Sequence, residues 1–96
     1  MNDARPQNNI AMAIRLARRA KGMSQEDFSL VSSRTYLSSL ERGLKSPTLN
    51  KLDELAAALG IHPLTLMTMA YLNKNSPASI TALLSMVQAE LTMLQQ

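Results

Sequence analysis

Ninety-six residues suffice for one domain with a core of several helices and fall short of two. Hydrophobic residues make up 46% of the chain, only three residues are aromatic and cysteine is absent. The core must therefore be built from Leu, Ile, Ala and Met, and a disulfide scaffold, thiolate chemistry and the usual zinc ligands are excluded. The net charge of +3 is uneven, with nine Lys/Arg against four Asp/Glu in residues 1–51 and one against three in residues 52–96. That asymmetry fits a polyanion-binding surface joined to a partner-binding half, or an ordinary solvated surface.

Leu, Ala, Met, Gln and Lys are good helix formers and β-branched runs are absent, so an all-α fold is expected. The polar start MNDARPQNN begins no signal peptide, and no apolar run reaches the roughly 18 residues of a membrane span. A soluble, cytoplasmic protein with no membrane contact is the expectation. Residues 1–8, with Pro6, read as a flexible arm. A first helix over 9–21 places Ile10, Ala13, Ile14 and Ala17 at three- and four-residue spacing. Arg15, Arg18, Arg19 and Lys21 lie mostly on its other sides, and Gly22 is its stop.

Ser24 opens a second helix over 25–31, with Asp27 as an acidic version of the capping box and Met23 placed to staple to Phe28. A third helix, 34–42, starts after Ser33 and stops at Gly43. Leu37 and Leu40, helped by Tyr36, form its buried stripe, and Arg34, Thr35, Ser38 and Ser39 stand on its polar side. Two short helices across a very short polar turn are the layout of a DNA-reading helix-turn-helix.

Thr48 caps a helix over 49–59, closed by Gly60, with Leu49, Leu52, Leu55, Ala56 and Leu59 as a broad apolar face. Pro63 suits the first position of the next helix, which runs to about residue 72. That helix is apolar on more than one side, more than a lone monomer needs at its edge. Ser76 and Pro77 open the last helix, 77–95, where Ile80, Leu84, Val87, Leu91 and Leu94 follow a heptad spacing. This stripe packs on its own domain or forms a dimer seam, and both can hold at once. The lone His62, before Pro63, reads as a capping or exposed side chain. With no phosphate loop, metal-ligand cluster or nucleophile–base pair, no enzyme activity, metal or cofactor is expected.

Taken together, GMSQEDF, SRTYLSSLERG and SPTLNKLDELAAALGI resemble the Xre/Cro-type helix-turn-helix repressors, and are particularly similar to the small controller proteins of restriction-modification systems. The resemblance covers about residues 9–67. It implies a compact, lambda-repressor-like bundle of five helices over residues 9–72. It also implies a homodimeric, sequence-specific transcriptional regulator that sets the 34–42 helix in the major groove of a two-fold-related operator on double-stranded DNA. Residues 73–96 are then a linker and a C-terminal helix, which contacts a second copy or another protein through Leu84, Val87, Leu91 and Leu94.

By the same resemblance, Arg34, Thr35 and Ser39 match base-facing positions. An Arg near the start of such a helix can fork onto guanine, worth about 1–3 kcal/mol of discrimination. Thr35 offers a methyl to thymine or a hydroxyl to phosphate, and the small Ser38 and Ser39 let the helix come close. Taken singly, Thr35, Ser38 and Ser39 also suit a plain polar helix face. Gln25 matches a position that contacts the DNA backbone and can brace a base-reading side chain. Tyr36 supports or touches a phosphate, and Arg42, Lys45 and Ser46 would clamp the sugar–phosphate backbone. Glu41 would repel phosphate unless turned inward. In the family its position pairs with an arginine of the first helix, here Arg18.

The chain departs from the family at the turn. Eight residues lie between Gln25 and Arg34, fewer than in the relatives, which set a Gly and an apolar residue there. Val31 or Leu30 can supply the apolar plug and Ser32-Ser33 the turn, at the expense of a changed tilt of the 34–42 helix. A second functional reading is an antitoxin that represses its own operon while its C-terminal helix grips a toxin.

Overall fold

A computed structural model describes residues 7–95 of the chain, so the arm expected at 1–8 lies outside the described residues except for Gln7 and Asn8, both exposed. The chain runs through α1 (Ile10–Ala20), a 3₁₀ turn (Gln25–Phe28), α2 (Arg34–Glu41), α3 (Leu49–Leu59), α4 (Pro63–Tyr71) and α5 (Pro77–Leu94). The fold is all-α, with no strand among the described residues. Short polar side chains set the helix starts by accepting backbone N–H groups that lack a helical partner. The Asn9 carboxamide accepts from Met12 N–H, and Ser33 Oγ and Thr48 Oγ1 accept from Tyr36 and Lys51 N–H, each at 3.1 Å. Ser76 Oγ accepts from Ser79 N–H at 3.2 Å. His62, exposed to solvent, does the same for α4: its Nδ1 accepts from Leu64 N–H at 3.0 Å.

α1 lies at the centre, packed on α4 and α2, while α3 packs on α4 and the 3₁₀ turn packs on α2. The core gathers Ala13, Ile14 and Ala17 of α1 with Phe28, Leu37, Leu40, Leu52, Leu55, Leu59, Leu66 and Ala70. Each fully buried large side chain contributes about 1.5–3 kcal/mol through apolar area removed from water. The Asn9 N–H donates to the Ala70 carbonyl at 2.7 Å, sewing the start of α1 to the end of α4.

Two features differ from the sequence reading. The helix expected over 25–31 is a single 3₁₀ turn, because the few residues left before Arg34 must also turn Val31 inward and leave Ser33 free to cap α2. The N–H groups of Val31 and Ser32 both donate to the Phe28 carbonyl, at 2.9 and 2.8 Å, closing the turn instead of extending a helix. Val31 packs against the core, whereas Leu30 is 98% exposed, so Val31 is the apolar plug. Leu49, expected in the apolar face of α3, is exposed: it occupies the first position of that helix, at the rim of the core. α5, whose stripe the sequence left open between its own domain and a second copy, has no buried side chain: Ile80 and Leu83 are half-buried, and Leu84, Val87, Leu91 and Leu94 are exposed.

Candidate nucleic-acid interface

α2 is held from behind by one charged side chain. Glu41, at its last position, is buried, and Arg18 of α1 forks onto it, Nε donating to Oε2 at 2.7 Å and Nη2 to Oε1 at 2.8 Å. The third edge of the same guanidinium reaches the Met23 carbonyl at 2.9 Å. The Gln25 amide adds a donor to Glu41 Oε1 at 3.2 Å. One ion pair thus ties α1, the segment entering the 3₁₀ turn, that turn and α2. Burial is the strongest single influence on Glu41 and pushes its carboxyl up. The hydrogen bonds from Arg18 and Gln25, with the charges of Arg18 and Arg15, outweigh it and hold the group below its ordinary range. The Arg18 guanidinium is raised by its bond to Glu41, against its own desolvation.

The outward side of α2 carries the rest. Arg34 and Thr35 open the helix and are exposed; Ser38 and Ser39 follow half-buried. Ser39 Oγ donates to the Thr35 carbonyl at 3.0 Å, so its proton is committed to the helix backbone. Arg42 caps the C-terminus, exposed, and Gly43 turns the chain away with φ 75°, a left-handed conformation that a side chain would strain. Lys45 and Ser46 stand exposed just beyond. The half-buried Tyr36 ring lies within reach of two ammonium groups, Lys45 Nζ at 5.5 Å and Lys51 Nζ at 5.7 Å from its centroid. The structure therefore gathers Arg34, Thr35, Tyr36, Arg42, Lys45 and Ser46 along one helix and its exit, while Gln25, half-buried, turns one amide hydrogen to Glu41.

Two residues absent from the sequence reading join this surface. Glu26 Oε1 accepts from Arg34 Nη1 at 3.0 Å. Lys51 of α3 reaches back with Nζ to the Val31 carbonyl at 2.6 Å and to Glu54 Oε2 at 2.8 Å, bracing the turn before α2. The Glu26–Arg34 and Lys51–Val31 contacts follow no helical repeat: their partners lie 8 and 20 positions apart and meet only in the folded chain. A basic helix exit, a small-residue helix face and an inward-locked carboxylate together suit a polyanion laid along α2.

Comparison with known proteins falls on the same segment. A family model described as Helix-turn-helix matches residues 14–66, from the middle of α1 into α4. A protein of Sinorhizobium fredii (strain NBRC 101917 / NGR234), bearing the name uncharacterized HTH-type transcriptional regulator y4dJ, is 51% identical over 53 residues, 53% of this chain and 69% of that protein. The crystal structure of a hypothetical transcription factor, NHTF, from Neisseria is similar with a TM-score of 0.58 and 32% identity, over 70% of this chain and 79% of that one.

Proposed function

We propose, on the premise that this chain belongs to the helix-turn-helix family of transcription regulators, that it acts as a homodimer on a two-fold-related operator with α2 in the major groove. The observation that carries this reading is the outward side of α2, where Arg34 and Thr35 lead and Arg42, Lys45 and Ser46 follow, all exposed, on a helix anchored by Leu37, Leu40 and Glu41. Arg34 and Thr35, with the small Ser38 and Ser39, are the base-facing set. Tyr36, Arg42, Lys45 and Ser46 take phosphates, and Gln25 keeps a second amide hydrogen for the backbone beside the one given to Glu41.

The homodimer rests on α5 and the flank of α4. An apolar cleft of about 310 Å³ lies between them, lined among others by Leu64, Met67, Tyr71, Leu83, Leu84 and Val87. Beside the cleft Leu84, Val87, Leu91 and Leu94 stand exposed, a contiguous apolar stripe of the kind that marks an interaction surface.

Selection from random duplex DNA tests the whole reading. It should return a two-fold-symmetric motif with half-sites one helical turn, roughly 34 Å, or a multiple apart. An asymmetric motif would refute the dimeric arrangement, and no motif at all would refute sequence reading. The uncovered α5 face also suits an antitoxin, a reading favoured if the isolated chain is monomeric and aggregates.

A further inference from the structure

We propose that Glu26 is the positioning residue for Arg34: its carboxylate holds the guanidinium in the orientation that reads guanine. This rests on the DNA-reading function of α2 proposed above. The acidic residues of the basic half, among those described, have separable tasks. Asp27 Oδ2 accepts the Ser24 N–H at 2.7 Å and caps the 3₁₀ turn. Glu41 is locked behind α2 by Arg18. Glu26 does neither. It stands in the 3₁₀ turn, 71% exposed, and its partner is Arg34 at the first position of α2, also 71% exposed.

A carboxylate in that place repels phosphate and weakens attraction to DNA. So exposed an ion pair also adds little to folding. What it does fix is direction. Arg34 Nη1 is engaged by Glu26, and among the described residues the guanidinium makes no other hydrogen bond. The Nε–Nη2 edge therefore remains, two parallel donors in a rigid fork that match guanine O6 and N7. An unheld arginine has several rotatable bonds and reaches phosphates as readily as bases; a held one does not.

The short turn explains why Glu26 takes this part. Gln25 is drawn to Glu41, behind α2, so the next residue along the 3₁₀ turn is the one left facing Arg34. Glu26 thereby trades general affinity for base preference.

The test is selection from a random duplex library with the full chain and with Glu26→Gln, Glu26→Ala and Arg34→Ala, together with binding to a scrambled duplex across a salt series. Arg34→Ala should erase preference at one base pair of each half-site. Both Glu26 variants should weaken preference at that same pair by about 3- to 10-fold, and Ala by more than Gln, because the Gln carbonyl still accepts one hydrogen bond. Both should bind the scrambled duplex as tightly as the parent or tighter, and melt within a few degrees of it. A change at a different base pair would mean that Glu26 reads a base itself. A motif unchanged in both variants would mean that it does not act through Arg34, and either outcome overturns the inference alone. A parent chain that returns no motif overturns the DNA-reading proposal and this inference with it.

Discussion

Glu41 closes α2 with a negative charge, which a phosphate-facing helix tolerates only if its own chain neutralises it. The fork from Arg18 does that, and because both groups are largely out of water, removing one strands the other. Breaking such a buried pair costs about 3–5 kcal/mol. Glu41→Ala should therefore lower the melting temperature by roughly 12–40 °C in a domain of this size. The folded-state pKa of Glu41 is depressed, so its stabilisation is fully present above the ordinary glutamate value of about 4.3. It is lost as pH falls below that value and through the lowered folded-state one. Urea titrations from pH 7 to 3 should show the parent losing stability on acidification, and Glu41→Gln, already less stable, losing less. At the outward side the expected signatures are different. Arg34→Ala should narrow the gap between operator and scrambled DNA. Lys45→Ala should weaken both alike and reduce the slope of log affinity against log salt by about one. Titrations at several salt concentrations separate the two.

Between the 3₁₀ turn and α2 the chain does with few residues what a longer turn would do with an extra apolar one, and Val31 is the residue that makes it possible. Val31→Ala should cost about 1 kcal/mol in chemical denaturation by opening a gap beside the core. Leu30→Ser should stay within about 0.5 kcal/mol, since nearly all of that side chain already meets water. Equal losses for the two would place the plug elsewhere. The same region marks where reading the sequence succeeds and where it stops. Starts after Ser33, Thr48 and Ser76 were legible because a cap and a three- or four-residue repeat are local. The outward position of Arg34 and Thr35 was legible because Leu37 and Leu40 fix the opposite stripe. The collapse of the 25–31 helix was not, since it depends on how many residues remain once Val31 and Ser33 are placed. Glu26 with Arg34, and Lys51 with the Val31 carbonyl, were invisible because only tertiary folding brings them together. Leu49 shows the converse: periodicity says which face a residue is on, not whether anything covers it.

At the scale of the whole molecule the unresolved balance is between a bundle whose core is complete and a last helix that contributes nothing buried to it. Eighteen residues of helix with an exposed Leu84, Val87, Leu91 and Leu94 stripe would be costly to leave in water. In the proposed homodimer a second copy would cover that stripe and at the same time set two α2 helices at a fixed spacing. Leu84→Glu with Leu91→Glu places two charges on the stripe without touching the core, so the variant should remain folded by circular dichroism. Sedimentation equilibrium should then give the single-chain mass of 10.5 kDa, where the parent gives twice that. Each half-site would have to be bound separately, without the millimolar effective concentration that a linked second reading head enjoys, so operator affinity should fall about 100-fold or more. Binding to an isolated half-site should be nearly unchanged, because α2 and its basic exit are intact. A folded variant that still sediments as a dimer would move the interface off α5 and onto the exposed flank of α4, where Leu64 and Tyr71 are the next residues to charge.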